Sequence, residues 1–502
     1  MRIGRVLMRN RETMKRHSAE KLWNASFLIG IASLLWFLIR TGTKPRRAAY
    51  PCQKAALVNA SAWLGTLALP QLLRRPDTSI GREARRSGAV RLRFALLMLA
   101  SAAIAGIAGP AVRFFSNANS QPAGQSVALS LAGRQLATGT FSDIYAVQGT
   151  TGADGGFQRL VRLMEQRGQP FYALIDRKDV IIIKVNSQWD QRGGTNTDLV
   201  GAIIESILDH PGGFDGEIVI ADNGQAQYGA AGRGGDLDWK SNNAEDRTQS
   251  MQRVAERFSK VHRVSTALWD RITTIPVGEY SDGDSRDGYV VASSPSAATG
   301  IVVSYPKFKT LYGTRISFKK GIWNPVSRSY DSDRLKVINV PVLKTHSIYG
   351  VTASVKHYMG VTSDRLTKHA AHQSVGSGGM GTQMAETRFP VLNVLDAIWI
   401  NAVPGGGPLT RYAEATRTNI VAASRDPVAM DYWAAKSILV PAAEKLGYRD
   451  TESMNPDNVQ TRSFGKWLRL SMKALQDAGY PSTLDLSKIN ITVSSLEDFK
   501  VE

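Results

Sequence analysis

Two lysines and one histidine lie where they could bind or transform a small ligand. Lys184 is inside the apolar run VIIIKV, and Lys344 and His346 follow shortly after the run VINVPV. A desolvated lysine can act as a base with a tuned pKa, and a charged lysine pairs with carboxylates or phosphates. We therefore predict catalytic roles for these three residues. The alternative for each lysine is a side chain that only extends to the edge of a sheet, with its charge in water.

Further polar side chains follow apolar runs and could contact the same ligand. In open α/β sheets, ligands bind outside the carboxyl ends of the strands, which form one rim. We assign ligand-binding roles at this rim to Asn186, Asp222, Asn223, Lys356 and Asp426. For each of them the alternative is a loop residue in water or a helix cap, and Asp426 is placed to cap a helix that opens with a proline.

The histidines are clustered, because four of the seven fall within 27 residues. His346, His357, His369 and His372 could hold a divalent metal, since imidazole is a common metal ligand. No HExxH motif is present, and hydrogen-bonding or surface histidines are the alternative. The single cysteine, Cys52, excludes an iron–sulfur cluster built from this chain alone.

A glycine-rich segment, GSGGMG at 376–381, precedes a predicted helix start. Its backbone amides could hold an anion. The order of residues matches neither a P-loop nor a dinucleotide fingerprint, so a flexible loop is the alternative. Such a loop could also close over the histidine cluster.

Five apolar runs rich in β-branched residues must position these side chains. Their composition predicts parallel strands that are covered on both faces. The segment 198–208 has helical spacing of apolar residues and completes a βαβ unit, with Asp198 placed to cap it. The predicted fold class is α/β, a mostly parallel sheet covered by helices and preceded by an N-terminal helical transmembrane region. The runs are 180–185, 217–221, 337–342, 392–400 and 419–423.

Residues 1–114 are predicted to be a basic membrane anchor. They hold 20 Lys and Arg against 4 Asp and Glu, which is +16 of the net charge of +19. Uncharged runs at about 22–39, 55–73 and 94–112 are each long enough to cross a bilayer. The middle run contains more polar residues, so two and three spans both stay open. Because basic loops stay in the cytoplasm, either arrangement places the C-terminal domain outside it.

After the anchor, residues 115–139 are predicted to be a linker and residues 140–502 an α/β domain. The 388 residues that follow the anchor hold 42 basic and 39 acidic side chains, which argues against a nucleic-acid partner. The predicted partners are membrane lipid, a small-molecule ligand and a membrane redox partner.

Several stretches together resemble the family called domain of unknown function 362. They are VIIIKVN, TNTDLVGAIIESIL, EIVIADNG, VPVLKTHSIYGVTASVKHYMGV and NIVAASRDPVAMD. The resemblance covers roughly residues 140–495 and implies a fold and domain limits rather than an activity. Some members of that family are accompanied by ferredoxin-type cysteine motifs, which implies redox surroundings, but this chain lacks those cysteines.

The sequence thus predicts a membrane-tethered, extracytoplasmic protein whose rim takes a small anionic or metal-bound ligand. It would be an enzyme or a cofactor-handling protein. The alternative is a non-catalytic ligand-binding or assembly module associated with a membrane redox system. Catalysis needs a group that titrates near the working pH, whereas binding needs only complementary charge, and the sequence does not decide between them.

Overall fold

The predicted apolar runs form buried strands. The computed structural model describes the chain at residues 125–134, 142–224, 235–239 and 241–496. In the run VIIIK, Ile182 packs into the core on one face of the sheet, and Ile181 and Ile183 pack into the core on the other. Each buried isoleucine contributes about 1.5–3 kcal/mol relative to an exposed one, so a continuous apolar run favours a strand covered on both faces.

The predicted membrane spans lie outside the described residues, so the anchor stays a prediction. All described residues belong to one compact unit, 122–502, and no helix among them is long and apolar enough to cross a membrane. Part of the predicted linker, 125–134, contacts the sheet. The Val127 amide donates to the Arg417 carbonyl at 2.9 Å, and the Arg134 amide donates to the Ile491 carbonyl at 2.7 Å.

The strands of the described residues fall into a large sheet and a small sheet. In chain order they are β1 (Ser142–Gln148), β2 (Val180–Lys184), β3 (Glu217–Asp222), β4 (Val264–Leu268), β5 (Gly288–Val291), β6 (Ser304–Lys309), β7 (Arg315–Ser317), β8 (Gly321–Asn324), β9 (Ser329–Asp331), β10 (Leu335–Asn339), β11 (Val342–His346), β12 (Gly350–Thr352), β13 (Leu392–Asn401), β14 (Thr416–Ser424) and β15 (Ile489–Ser495). The α-helices are α1 (Gly156–Gln166), α2 (Thr197–Leu208), α3 (Met251–Ser259), α4 (Ala370–Ser374), α5 (Gly379–Glu386), α6 (Pro427–Ala434), α7 (Val440–Lys445) and α8 (Phe464–Asp477).

The large sheet is mostly parallel, which confirms the predicted fold class for the described part of the chain. Its order is β15-β1-β14-β13-β10-β2-β3-β4, and β11 pairs with β13 and β12. Not every predicted strand is parallel, however, because β14 runs antiparallel to both of its neighbours, β1 and β13. Strands β5 to β9 form a separate antiparallel sheet in a region where the sequence had indicated no strand.

The run 337–342 was predicted to be one strand, but the structure divides it between β10 and β11. Pro341 has no amide hydrogen to donate, so it interrupts the ladder. Asn186 stabilises the interruption, because its side-chain oxygen accepts from the Val342 amide at 2.9 Å. β11 then continues past the interruption beside β13 and ends at His346.

One helix prediction differs from the structure in detail. α2 is capped by Asn196 rather than Asp198, because the Asn196 side chain accepts from the amides of Asp198 and Leu199. The segment that follows β11 forms β12 and then a 3₁₀ turn at Lys356–Gly360.

The glycine-rich segment is packed rather than flexible. Gly378 and Gly379 open α5, and a side chain at Gly378 or Gly381 would overlap the backbone of Leu470 or Ser471 in α8. The glycines therefore allow close contact between two helices, and this packing explains them without an anion or a lid.

Candidate functional site

The ends of three strands deliver ionisable side chains to one edge of the large sheet. Lys184 ends β2, Asp222 ends β3, and Lys344 and His346 lie in the last part of β11. All four are buried, and Lys344 lies close enough to Asp222 and Lys184 for their charges to shift its pKa. The predicted rim therefore forms, and it carries more positive than negative groups.

Lys184 and Asp222 form a buried ion pair with an Nζ–Oδ1 distance of 2.8 Å. The other oxygen of Asp222 accepts from the Ser187 amide at 2.7 Å and from its hydroxyl at 3.1 Å. Gly360 lies so close to the pair that a side chain there would overlap both partners. Lys184 is fully buried and its charge is compensated by Asp222, and its predicted catalytic role stays a prediction.

Lys344 is buried without such compensation. Its amine donates to the Gly193 carbonyl at 2.5 Å, and it has no acidic partner within ion-pair distance in the described part of the chain. Burial, together with the nearby charge of Lys356, lowers the pKa of Lys344 to about 7. Its charged form is therefore destabilised relative to that of an exposed lysine.

Lys356 is a second buried amine in the same region. It is 6% exposed, it forms no ion pair among the described residues, and its Nζ lies 5.6 Å from the centre of the Tyr349 ring. Burial lowers its pKa to about 7 as well. Two adjacent lysines thus lack the acidic partners that buried cations ordinarily require.

His346 presents a hydrogen-bond donor to this region. Its Nδ1 accepts from the amides of Ile348 at 3.1 Å and Tyr349 at 3.2 Å, so the neutral ring carries its proton on Nε2. Burial and the charge of Lys356 lower its pKa well below the ordinary value. A metal at Nε2 would need the proton on Nδ1, where it would face two amide donors, so this tautomer opposes metal binding.

The turn that carries Lys356 and His357 is fixed by two polar residues. Asp431 accepts from the amides of Ser354 at 2.7 Å and Val355 at 2.9 Å through its two oxygens. The side-chain oxygen of Asn339 lies 2.7 Å from His357 Nδ1, which therefore carries the proton. These contacts fix the backbone immediately before the turn to α6.

Of the four clustered histidines, the structure brings two together. The ring centres of His346 and His372 are 6.5 Å apart, whereas His357 binds Asn339 and the exposed ring of His369 binds Asp364 at 2.8 Å. Residues 142–224, 235–239 and 241–496 contain no group of three or more His, Cys, Asp or Glu side chains that could hold a metal. This geometry gives the divalent-metal hypothesis no support.

Three other predicted ligand-binding residues serve the surrounding structure. Asn186 fixes the start of β11, as described above, and Asn223 donates to the Tyr289 hydroxyl and to the Thr362 carbonyl, both at 2.7 Å. Asp426 caps α6 and also accepts from the Ser142 hydroxyl at 2.6 Å. Each of these polar groups thus has protein partners that account for its burial.

A small cleft of about 20 Å³ lies near the carbonyl that Lys344 contacts. Asn186, Ser187, Gly194 and Thr195 form part of its lining, together with Trp189 and Trp239 and with residues 241–243. Gly193 precedes Gly194 in the chain, so the Lys344 amine lies one peptide from the cleft lining. This volume holds about one water molecule, and Lys344, His346 and Lys356 are not among the lining residues.

Sequence reasoning missed two buried acids that shape the site. Asp431 was recognised only as a residue of a predicted helix, and Asp396 is a lone carboxylate inside the apolar run LNVLDAIWI. Asp396 accepts from the Asn196 amide at 2.8 Å and from the Asn243 side chain at 3.1 Å, and burial raises its pKa to about 6. A carboxylate with apolar residues on both sides of it in the chain is a signal that could have identified Asp396.

A family model described as "Domain of unknown function (DUF362)" matches residues 329–436. This match supports the resemblance to that family and contains Lys344, His346, Lys356 and Asp431, while the resemblance of the flanking segments stays a prediction. Searches of curated proteins and of solved structures give no match.

Proposed function

We propose that this protein binds a small anionic ligand at the rim formed by Lys344, Lys356 and His346. One observation carries the proposal, namely two adjacent buried lysines without an acidic partner within ion-pair distance in the described residues. Removing a charge from water costs several kcal/mol unless an opposite charge compensates it. A bound anion would supply that charge and would raise the pKa of both lysines.

The remaining polar groups suit an anion rather than a cation. Lysine amines and the His346 Nε2–H group are donors, and the nearby carboxylates of Asp222 and Asp396 are already bonded to the protein. A donor-rich site of this kind favours carboxylate or phosphate oxygens.

The two lysines also give the site the means to move protons. A group with a pKa near the working pH can give and take protons readily, and the pKa of both lysines is about 7. We therefore favour an enzyme over a non-catalytic binding module. The membrane tether and the extracytoplasmic position belong to the same proposal and depend on the charge distribution of residues 1–114.

Thermal unfolding of the full chain in detergent tests the proposal. Phosphate, acetate and lactate would be compared with chloride at equal ionic strength, and a specific anion should raise Tm with concentration as a bound ligand does. Lys344→Met and Lys356→Met should each weaken this rise. Lys473→Met is the matched control, because Lys473 is exposed and pairs with Asp477. Equal responses of all three variants and of the unchanged protein would overturn the proposal.

A further inference from the structure

We propose that the folded domain itself contacts the bilayer, through a surface formed by Val261, Leu311 and Val326 that enters a layer of anionic lipid headgroups. We call these three residues the tip surface. The inference rests on the proposed membrane tether and adds a second lipid contact to it. It starts from the exposure of the three side chains and from the basic residues around them.

The tip surface contains the three most exposed large apolar side chains of the described residues. Val326 is 92% exposed, Val261 is 82% exposed and Leu311 is 76% exposed. Single apolar side chains on a surface are ordinary, but several at one place are typical of a contact with a partner or a membrane. Covering them would remove apolar area from water, which favours association.

The small sheet brings two of these residues to the same end. Leu311 lies in the turn between β6 and β7, and Val326 lies in the turn between β8 and β9. These strands are antiparallel neighbours, with Lys309 opposite Arg315 and Arg315 opposite Trp323. Alternate turns of an antiparallel sheet lie at the same end, so the two apolar turns are neighbours.

Val261 joins them through Tyr312, the residue after Leu311. The Tyr312 hydroxyl donates to the Val264 carbonyl at 3.2 Å and lies 3.4 Å from the His262 carbonyl. Val261 precedes His262 in the connection between α3 and β4. The first apolar turn is therefore held against the segment that exposes Val261, and all three side chains belong to one surface.

Basic residues surround the tip surface. Its three segments, 260–263, 309–315 and 324–329, contain five basic residues and no acidic residue. The 388 residues after the predicted anchor hold 42 basic and 39 acidic side chains, so this excess is local. The five basic residues are Lys260, Arg263, Lys309, Arg315 and Arg328.

Two acids from other segments reduce the excess without removing it. Glu217 pairs with Arg263 at 2.8 Å, and Asp287 accepts from the Lys309 amide at 3.0 Å. Three basic residues remain in excess after these two acids are counted. Apolar side chains surrounded by Lys and Arg are typical of surfaces that bind anionic lipid, because the apolar groups enter the headgroup layer while the cations attract it.

The predicted tether would keep the tip surface within reach of a bilayer. The described chain begins at Gln125, 13 positions after the last predicted span, and an extended chain covers at most about 3.6 Å per residue. Tethering raises the effective concentration of lipid at the domain, so a weak contact is enough.

The tip surface would be a separate point of attachment. The Gln125 carbonyl accepts from the Arg417 amide at 2.9 Å, beside the end of β13. Val261 instead precedes the start of β4, at the opposite end of the parallel strands. Contact at this second point would therefore fix which face of the domain meets the bilayer.

Fluorescence quenching by spin-labelled lipid tests the contact in the full chain. Cys52, the single cysteine, is replaced by serine, and a polarity-sensitive fluorophore is attached to Leu311→Cys or Val326→Cys. The control is Val459→Cys, because Val459 is 53% exposed and lies before α8. Each protein is placed in nanodiscs of phosphatidylcholine with or without phosphatidylglycerol. We expect labels at 311 and 326 to lose fluorescence to spin-labelled lipid, most strongly in the anionic nanodiscs, and the label at 459 to keep it.

Charge variants test the choice of lipid in the labelled Leu311→Cys protein. Lys260→Glu combined with Arg328→Glu should reduce the quenching in anionic nanodiscs, and added salt should reduce it as well, because it screens exposed charges. Lys473→Glu is the matched control, since Lys473 is an exposed lysine of α8. Thermal unfolding shows whether each variant is folded.

The results separate the contact from the tether. If the chain enters the nanodiscs but the labels at 311 and 326 stay in water, the contact is overturned, the tether stands, and the tip surface is left for a protein partner. If the chain does not enter the nanodiscs, both fail. Equal quenching at 311 and 459 would overturn a specific face, and equal quenching in both lipid mixtures would overturn the choice of anionic headgroups.

Discussion

The three buried lysines of the rim differ in how their charge is balanced. Lys184 has Asp222 at 2.8 Å, whereas neither Lys344 nor Lys356 has a carboxylate within ion-pair distance among the described residues. A compensated lysine stabilises the fold around it, but an uncompensated one reduces stability when it is charged. Removing the counter-charge of Lys184 should therefore lower the free energy of unfolding. Removing the charge of Lys356 should raise it.

Asp222→Asn should lower the free energy of unfolding by about 3–5 kcal/mol, because it leaves a charged Lys184 buried without a counter-charge. Chemical denaturation would measure the loss, and adding Lys184→Met to the same protein should recover much of it. Asp477→Asn, which breaks an exposed pair, should change stability by less than about 1 kcal/mol. A loss of that small size for Asp222→Asn would show that the buried pair is not structural.

Lys356→Met should stabilise the protein, and the gain should depend on pH. Its pKa is about 7 in the folded protein and about 10.4 in the unfolded chain, so the unfolded chain binds more protons between these values. The penalty of the lysine is therefore absent above about pH 10.4, grows as pH falls to about 7, and is constant below that.

Denaturation at several pH values between about 6 and 9 would measure this gain, which should reach a few kcal/mol at the acid end. Lys473→Met provides the baseline, because its side chain is exposed. A gain that does not change with pH would show that the Lys356 amine keeps its ordinary pKa in the folded protein.

At the scale of elements, β11 and the turn Lys356–Gly360 build the site together. After the interruption at Pro341, β11 continues beside β13, and Asp431 in α6 fixes the residues that precede the turn. Burial raises the pKa of Asp431 to about 7. The hydrogen bonds from the Ser354 and Val355 amides act in the opposite direction, because they stabilise the charged carboxylate. α6 therefore connects the packing of the helices with the placement of Lys356.

α5 and α8 contact each other closely at glycines. Gly381→Ala should destabilise the protein by about 1–3 kcal/mol, because the added methyl group would overlap the backbone of Ser471. Gly376→Ala is the matched control, since its nearest neighbour would be the Arg462 side chain at 3.9 Å. Thermal or chemical unfolding measures both. If Gly381→Ala and Gly376→Ala have the same free energy of unfolding, the contact between α5 and α8 does not depend on glycine at position 381.

For the whole molecule, the charge separation between residues 1–114 and the rest of the chain is the feature with the largest consequence. The first part has a net charge of +16, and the 388 residues after it are almost neutral. This distribution is the basis of our proposal that residues 1–114 hold the rest of the chain at a membrane.

A reporter fused after Ser116 should be active only if it functions outside the cytoplasm, because both predicted topologies export the C-terminal domain. A second fusion after Ala48 distinguishes them, since this loop lies outside with three spans and inside with two. The matched pair of reporters, one for each compartment, provides the control. Activity of the cytoplasmic reporter after Ser116 would reverse the predicted orientation.

The sequence by itself determined the local properties of the fold. Uninterrupted apolar runs identified β2, β3, β13 and β14, since burial on both faces needs apolar residues at every position. The pair Asp426-Pro427 identified the start of α6, because capping and the fixed φ of proline act over a few residues. Whether Lys184 is buried was left open, because a lysine in such a run can also extend its charge to water.

Tertiary structure alone decided which charges have partners. Lys184 and Asp222 are 38 residues apart, Lys344 and Gly193 are 151 apart, and Asp431 and Ser354 are 77 apart. Spacing along the chain carries no information about such pairs, because the order of strands in the sheet brings them together. For the same reason the sequence could propose four clustered histidines as one site, whereas the folded chain brings only His346 and His372 together and leaves two lysines without a carboxylate partner among the described residues.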